Sequence, residues 1–114
     1  MSGTSGICVL VGNEPRAYRE AISAAVQTLR PGCRVVAVEP HELDRHVAGY
    51  SPALVICSQL TEAVQALASW ILLYPDGDRQ VILSLGGKLQ QAANIGLQGL
   101  LSLVDHVDGL AAAG

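Results

Sequence analysis

The chain has 114 residues and a mass of 11.9 kDa; half of the residues are hydrophobic, 15% are charged, and the formal net charge is -3. That length fits one domain, and so apolar a chain can bury a core without disulfide or metal staples, which excludes disorder for most of it. An acidic balance with one lysine, Lys88, and six scattered arginines argues against nucleic acid, and no apolar run reaches the roughly 18–20 residues of a membrane helix.

Residues 1–6 are Ser/Gly-rich, lack the charged region and cleavage site of a signal peptide, and are expected to be a flexible start to a domain spanning 7–114. Cys8 and Cys57 sit in aliphatic runs and Cys33 follows Pro31-Gly32, so the three thiols form neither a disulfide framework nor a CxxC site. A reducing compartment, the cytoplasm, is the expectation.

Ile7 to Val11 is a continuous β-branched run that stops at Gly12-Asn13, which predicts a central strand covered on both faces. Asn13 is placed to cap a helix with Glu14-Pro15 in its first turn. That helix runs to Arg30, with Tyr18, Ile22, Ala25, Val26 and Leu29 inward and Arg16, Arg19, Glu20, Ser23 and Gln27 in water. Arg34 to Val38 reads as a second strand, His41 to Ala48 as a short helix, and Ala53 to Cys57 as a third strand ending at Ser58.

Thr61 is a capping residue for a third helix, Glu62 to about Leu73, ended by Pro75-Asp76-Gly77-Asp78. This helix carries two apolar stripes. Val64, Leu67, Ile71 and Tyr74 would face the sheet, while Ala63, Ala66, Trp70 and Leu73 would point away and form a candidate interface anchored by the only tryptophan. Gln80 to Leu85 reads as a fourth strand broken by Gly86-Gly87, followed by a helix from Lys88 to Asn94. Leu100 to Val104 reads as a fifth strand, and Asp105 to Ala113 as a last helix. Five βα units predict a three-layer α/β/α sandwich on a five-stranded parallel sheet of flavodoxin-like order 2-1-3-4-5.

In such a sheet ligands bind outside the carboxyl ends of the strands. The candidate ligand-binding residues are therefore Gly12, Asn13, Glu14, Ser58, Ser84, Gly86 and Gly87. Val11-Gly12-Asn13-Glu14-Pro15 resembles the Val-Asp-Asp-Glu-Pro turn of two-component receiver domains. Pro52 to Ser58 resembles their Pro-Asp-Leu-Val-Leu-Leu-Asp strand, and Gly96 to Leu101 their Gly-Ala-Asp-Gly-Tyr-Leu segment. The resemblance extends over nearly the whole chain in order and spacing. It implies a degenerate receiver. The family's metal-binding acidic pair falls on Gly12 and Asn13, its phospho-accepting aspartate on Ser58 and its strand-5 lysine on Leu103, while only its hydroxyl position is kept, as Ser84.

With Glu14 as the one carboxylate, such a site cannot hold Mg²⁺ in the receiver manner, because Mg²⁺ demands several hard oxygen ligands. No metal, no cofactor and no catalytic residue are expected. His41 and His46 are five apart, roughly 140° around a helix, where a zinc helix needs i,i+4. Ser84 to Lys88 lacks the P-loop spacing, and Asp76-Gly77-Asp78 has too few oxygens for calcium. Cys57 or Ser58 as a nucleophile lacks a histidine base on the strand ends. The expected function is a phosphorylation-incompetent, receiver-like interaction module, as a homodimer or docked on a protein partner. A small-ligand sensor for a nucleotide or metabolite is the alternative.

Overall fold

A computed structural model describes residues 7–73, 80–93 and 95–113. The expectations for the first six residues, for Tyr74 and for the turn at 75–78 lie outside the described residues.

The chain is an α/β fold. Its elements are β1 (Cys8–Gly12), α1 (Arg16–Leu29), β2 (Arg34–Ala37), a 3-10 turn (Pro40–Glu42), α2 (Leu43–Tyr50), β3 (Leu54–Cys57), α3 (Glu62–Gln65), β4 (Trp70–Leu73), β5 (Gln80–Leu85), β6 (Lys88–Ala93) and α4 (Leu97–Ala113). One six-stranded sheet has the order β2-β1-β3-β4-β5-β6. The first four strands in that order are parallel, as the buried runs of β1 and β3 require, whereas β5 and β6 are antiparallel to their neighbours.

Helices lie on both faces. Val9, Val11, Ile56, Ile71 and Leu83 meet Ile22 and Val26 of α1 and Leu100, Val104 and Val107 of α4. Leu10, Val55, Cys57 and Trp70 meet Leu43 of α2 and Val64 of α3.

Three departures overturn the five-stranded parallel sheet. The third helix stops at Gln65, and Trp70–Leu73 is a strand. Four successive large apolar residues satisfy both faces of a covered sheet, and that burial outweighs the helical spacing of Val64, Leu67 and Ile71. Thr61 still caps the one-turn helix, its Oγ1 accepting from Val64 N–H at 3.2 Å.

Gly86-Gly87 does not open a helix. The two glycines take φ of +58° and +88° and close a two-residue hairpin between β5 and β6, the backbone that the right-handed twist of the strands favours. Finally, residues 100–113 form no strand but one helix with Leu97. Leu100, Leu101, Val104 and Val107 bury a single stripe.

The start of α1 also differs. Pro15 immediately precedes the first helical residue, no side chain caps the helix, and Asn13 turns inward. Arg19, expected in water, is buried, while Arg16 and Glu20 stay exposed and form an i,i+4 ion pair at 2.7 Å.

Candidate functional site

The carboxyl ends of β1 and β3 lie side by side, Gly12 paired with Cys57, so Asn13, Glu14 and Ser58 follow each other across one rim of the sheet. Glu14 N–H donates to Ser58 Oγ at 3.0 Å, tying the two loops together. Asn13 has no exposed surface; its Nδ2 reaches the Leu73 carbonyl at the end of β4 at 3.4 Å, and its Oδ1 has no hydrogen-bond partner among the described residues. Gly12 lies against Leu43, where an added Cβ would stand 3.3 Å from the leucine methyls.

Arg19 completes this rim. Its Nη1 donates to the Asn13 carbonyl at 3.2 Å and its Nη2 to Glu39 Oε1 at 3.2 Å, joining the ends of β1 and β2. Nothing in the helical pattern marks this arginine as buried. Its inward position follows from the orphan carbonyl at the end of β1, which needs a donor once it leaves the strand ladder.

Ser84, Gly86 and Gly87 are not part of this rim. Because β5 runs antiparallel to β4, Ser84 pairs with Trp70, at the beginning of β4, and the hairpin turn sits at the opposite end of the sheet. There Ser84 Oγ donates to the Ala68 carbonyl at 3.1 Å, Gly87 N–H to the same carbonyl at 2.8 Å, and Gly86 N–H to Ser69 Oγ at 3.1 Å. These groups fasten the hairpin to the 66–69 loop. The seven-residue crevice is therefore split between two ends of the sheet, and Leu103, assigned to a strand position, lies on α4.

The outward stripe on the third helix does not exist as such. Ala63 is half-buried and Ala66 exposed, but Trp70, 6% exposed, and Leu73, 3% exposed, point to opposite faces of the sheet within its core.

Nucleophilic chemistry has little support at the rim. Burial pushes the Cys57 thiol up to about 12, and its Sγ points at the Ile71 carbonyl at 3.7 Å, so it is protonated at neutral pH. Burial also raises Cys8 and Cys33. Among the described residues no three His, Cys, Asp or Glu side chains converge as a metal site. His46 Nε2 lies 3.8 Å from Glu42 Oε1, and its ring stacks on Tyr50. No described helix is long and apolar enough to cross a membrane.

Beside the rim, between α1 and the start of α4, lies an apolar cavity of about 450 Å³, lined by Tyr18, Ala21, Ile22, Ala25, Leu73, Ile95, Leu97 and Leu100. A second, polar hollow of about 340 Å³ is bounded by Arg16, Arg19, Glu39 and His46. No family model, curated protein or solved structure matches the chain.

Proposed function

We propose that the chain is a non-catalytic association module, receiver-like in its β1–β3 half, that carries no phosphoryl chemistry and works in the cytoplasm through protein contacts. The observation that carries this reading is the Glu14 N–H to Ser58 Oγ hydrogen bond at 3.0 Å. At the rim where a receiver would gather carboxylates, it joins a loop whose one carboxylate is Glu14 to a loop that has none, beside a fully buried asparagine. A serine without a base accepts a phosphoryl group poorly, and Glu14, with Glu39 engaged by Arg19, leaves Mg²⁺ with too few oxygens. Incubation with acetyl phosphate and Mg²⁺ should leave the intact mass unchanged. A stable phosphoryl adduct on any residue would overturn the reading.

The cavity between α1 and α4 favours a second reading, a sensor for a small apolar metabolite rather than a nucleotide. Its volume lies within the range of small-molecule sites, and Tyr18 brings the one side-chain hydroxyl among the described residues that line it. A thermal-shift panel of hydrophobic metabolites tests it, since a ligand at about 100 times its Kd adds about 2.7 kcal/mol of stability. The absence of any shift across such a panel removes this reading.

A further inference from the structure

The two edges of the sheet are treated differently. On the β2 edge, Arg34 and Val38 donate their N–H groups to β1, at 2.9 Å each, which leaves Val35 N–H aimed outward. The protein blocks it: Gln27 Oε1 accepts from Val35 N–H at 3.2 Å, while Gln27 Nε2 donates to the Cys33 carbonyl at 2.7 Å. The Arg34 guanidinium, 5.1 Å from the centre of the Tyr50 ring, adds a charge to the same edge. These are the means by which sheets avoid unwanted pairing.

The β6 edge has no side chain capping its outward N–H groups among the described residues, and its one charge, Lys88, stands at the first residue of the strand. It pairs with β5 alone. The two-residue turn makes Leu85 and Lys88 a hydrogen-bonded pair, so alternation along the ladder turns the N–H and C=O of Leu89 and Gln91 away from β5. Lys88–Ala93 contains no proline and one charge, and no bulge interrupts its register. Leu89 is 70% exposed, more than any other large apolar side chain described. Half-buried Leu72 and Ile82 continue that apolar surface inward across β4 and β5.

We infer that β6 is the interface, and that its occupant is β6 of a second copy, paired antiparallel into a continuous twelve-stranded sheet. This rests on the association reading above and names the partner. The pairing suits the strand. A two-fold axis at Gln90 sets Leu89 opposite Gln91 of the partner, so their outward amides and carbonyls bond reciprocally, as an isologous contact requires. Lys88 then lies opposite Ala92 of the partner, whereas a parallel pairing in register would set the two lysines side by side. Both copies of Leu89 fall on one face, flanking the axis, where each covers apolar surface left open by the other.

Sedimentation of the full chain from micromolar to millimolar concentration tests this, together with residue-resolved hydrogen exchange. The wild type should form a dimer of twice 11.9 kDa, with the Leu89 and Gln91 amides protected only where the dimer is populated. Gln91→Pro removes an outward donor without touching the β5 ladder, a position where edge strands accept proline. Leu89→Lys places charge at the axis. Each should raise the dimer Kd by about tenfold or more, with circular dichroism unchanged. A dimer indifferent to both variants would overturn the edge assignment while leaving the association reading intact. A wild type that is monomeric throughout would overturn self-pairing. A phosphoryl adduct, by contrast, would strike the association reading itself.

Discussion

Arg30 and Asp105, 75 positions apart, meet in a two-pronged ion pair, Nε to Oδ1 at 2.6 Å and Nη2 to Oδ2 at 2.8 Å. The pair joins the end of α1 to the middle of α4, the two helices that cover one face of the sheet. The Arg30 hydrogen bond holds the Asp105 carboxyl below its usual value. The contribution of this group to stability is therefore fully present above the unfolded value of 3.8 and is lost as pH falls through the lower, folded one. Asp105→Asn should lower the melting temperature slightly at neutral pH and make the acid limb of the stability curve shallower. Both partners are partly exposed, so added salt should shrink the difference. Melting curves from pH 2 to 7 check it.

Asn13 tests how the rim is held. Asn13→Asp removes the Nδ2 donor and faces a carboxylate with the Leu73 carbonyl at a fully buried position. The cost at neutral pH should be about 2 kcal/mol or more. Burial raises the new carboxyl above its unfolded value of about 3.9. The penalty is thus full above the folded value and disappears as pH falls to the unfolded one. Denaturant titration at pH 7 and pH 4 should show the gap to wild type narrowing on acidification.

Trp70 is a core residue on β4, packed with Leu10, Val55 and Val64. Its fluorescence should be blue-shifted and poorly quenched by acrylamide in the native protein. Trp70→Ala should cost about 3–5 kcal/mol, the range for large aromatic truncations in cores. A red-shifted, fully quenchable emission would place the side chain at the surface instead.

The first half of the fold was legible because its signals are local and concordant. The β-branched run of β1, the helix face of Ile22 and Val26, and the Thr61 cap all lead to the observed elements. The parallel direction of β2, β1 and β3 followed from βα alternation, and their order from the doubly wound precedent. Beyond Gln65 local preference and tertiary burial diverge. Lys88-Leu89-Gln90-Gln91-Ala92-Ala93 is built from helix formers, yet it is a strand because Gly86-Gly87 folds it back on β5. Leu100 to Val104 has a strand-like run inside a helical stripe that only the longer window to Val107 reveals. Reversing β5 carried Ser84 to the wrong end for a crevice with Ser58, so three of the seven candidate residues moved with one strand direction.

Gly87 reports on that hairpin. Its φ of +88° belongs to the left-handed region, and an added Cβ would meet nothing within 4 Å. Gly87→Ala should therefore act through backbone strain alone, costing about 1–2 kcal/mol. The loss should appear as faster exchange across β5 and β6 before any change in β1 or β3, because the turn pins the register of the hairpin only.

Ala25 lines the cavity between α1 and α4, where α1 passes Leu100. Ala25→Leu adds apolar atoms to space already walled by apolar side chains, and its helical backbone accepts leucine without strain. Filling should raise stability by about 0.5–2 kcal/mol, measured by denaturant titration at constant m-value. The same variant separates the two functional readings. If the cavity serves a small apolar metabolite, Ala25→Leu abolishes its thermal shift while raising the melting temperature of the free protein. The association reading makes the variant a stabiliser with an unaltered dimer, since the cavity lies on the face of α1 and α4 rather than at β6.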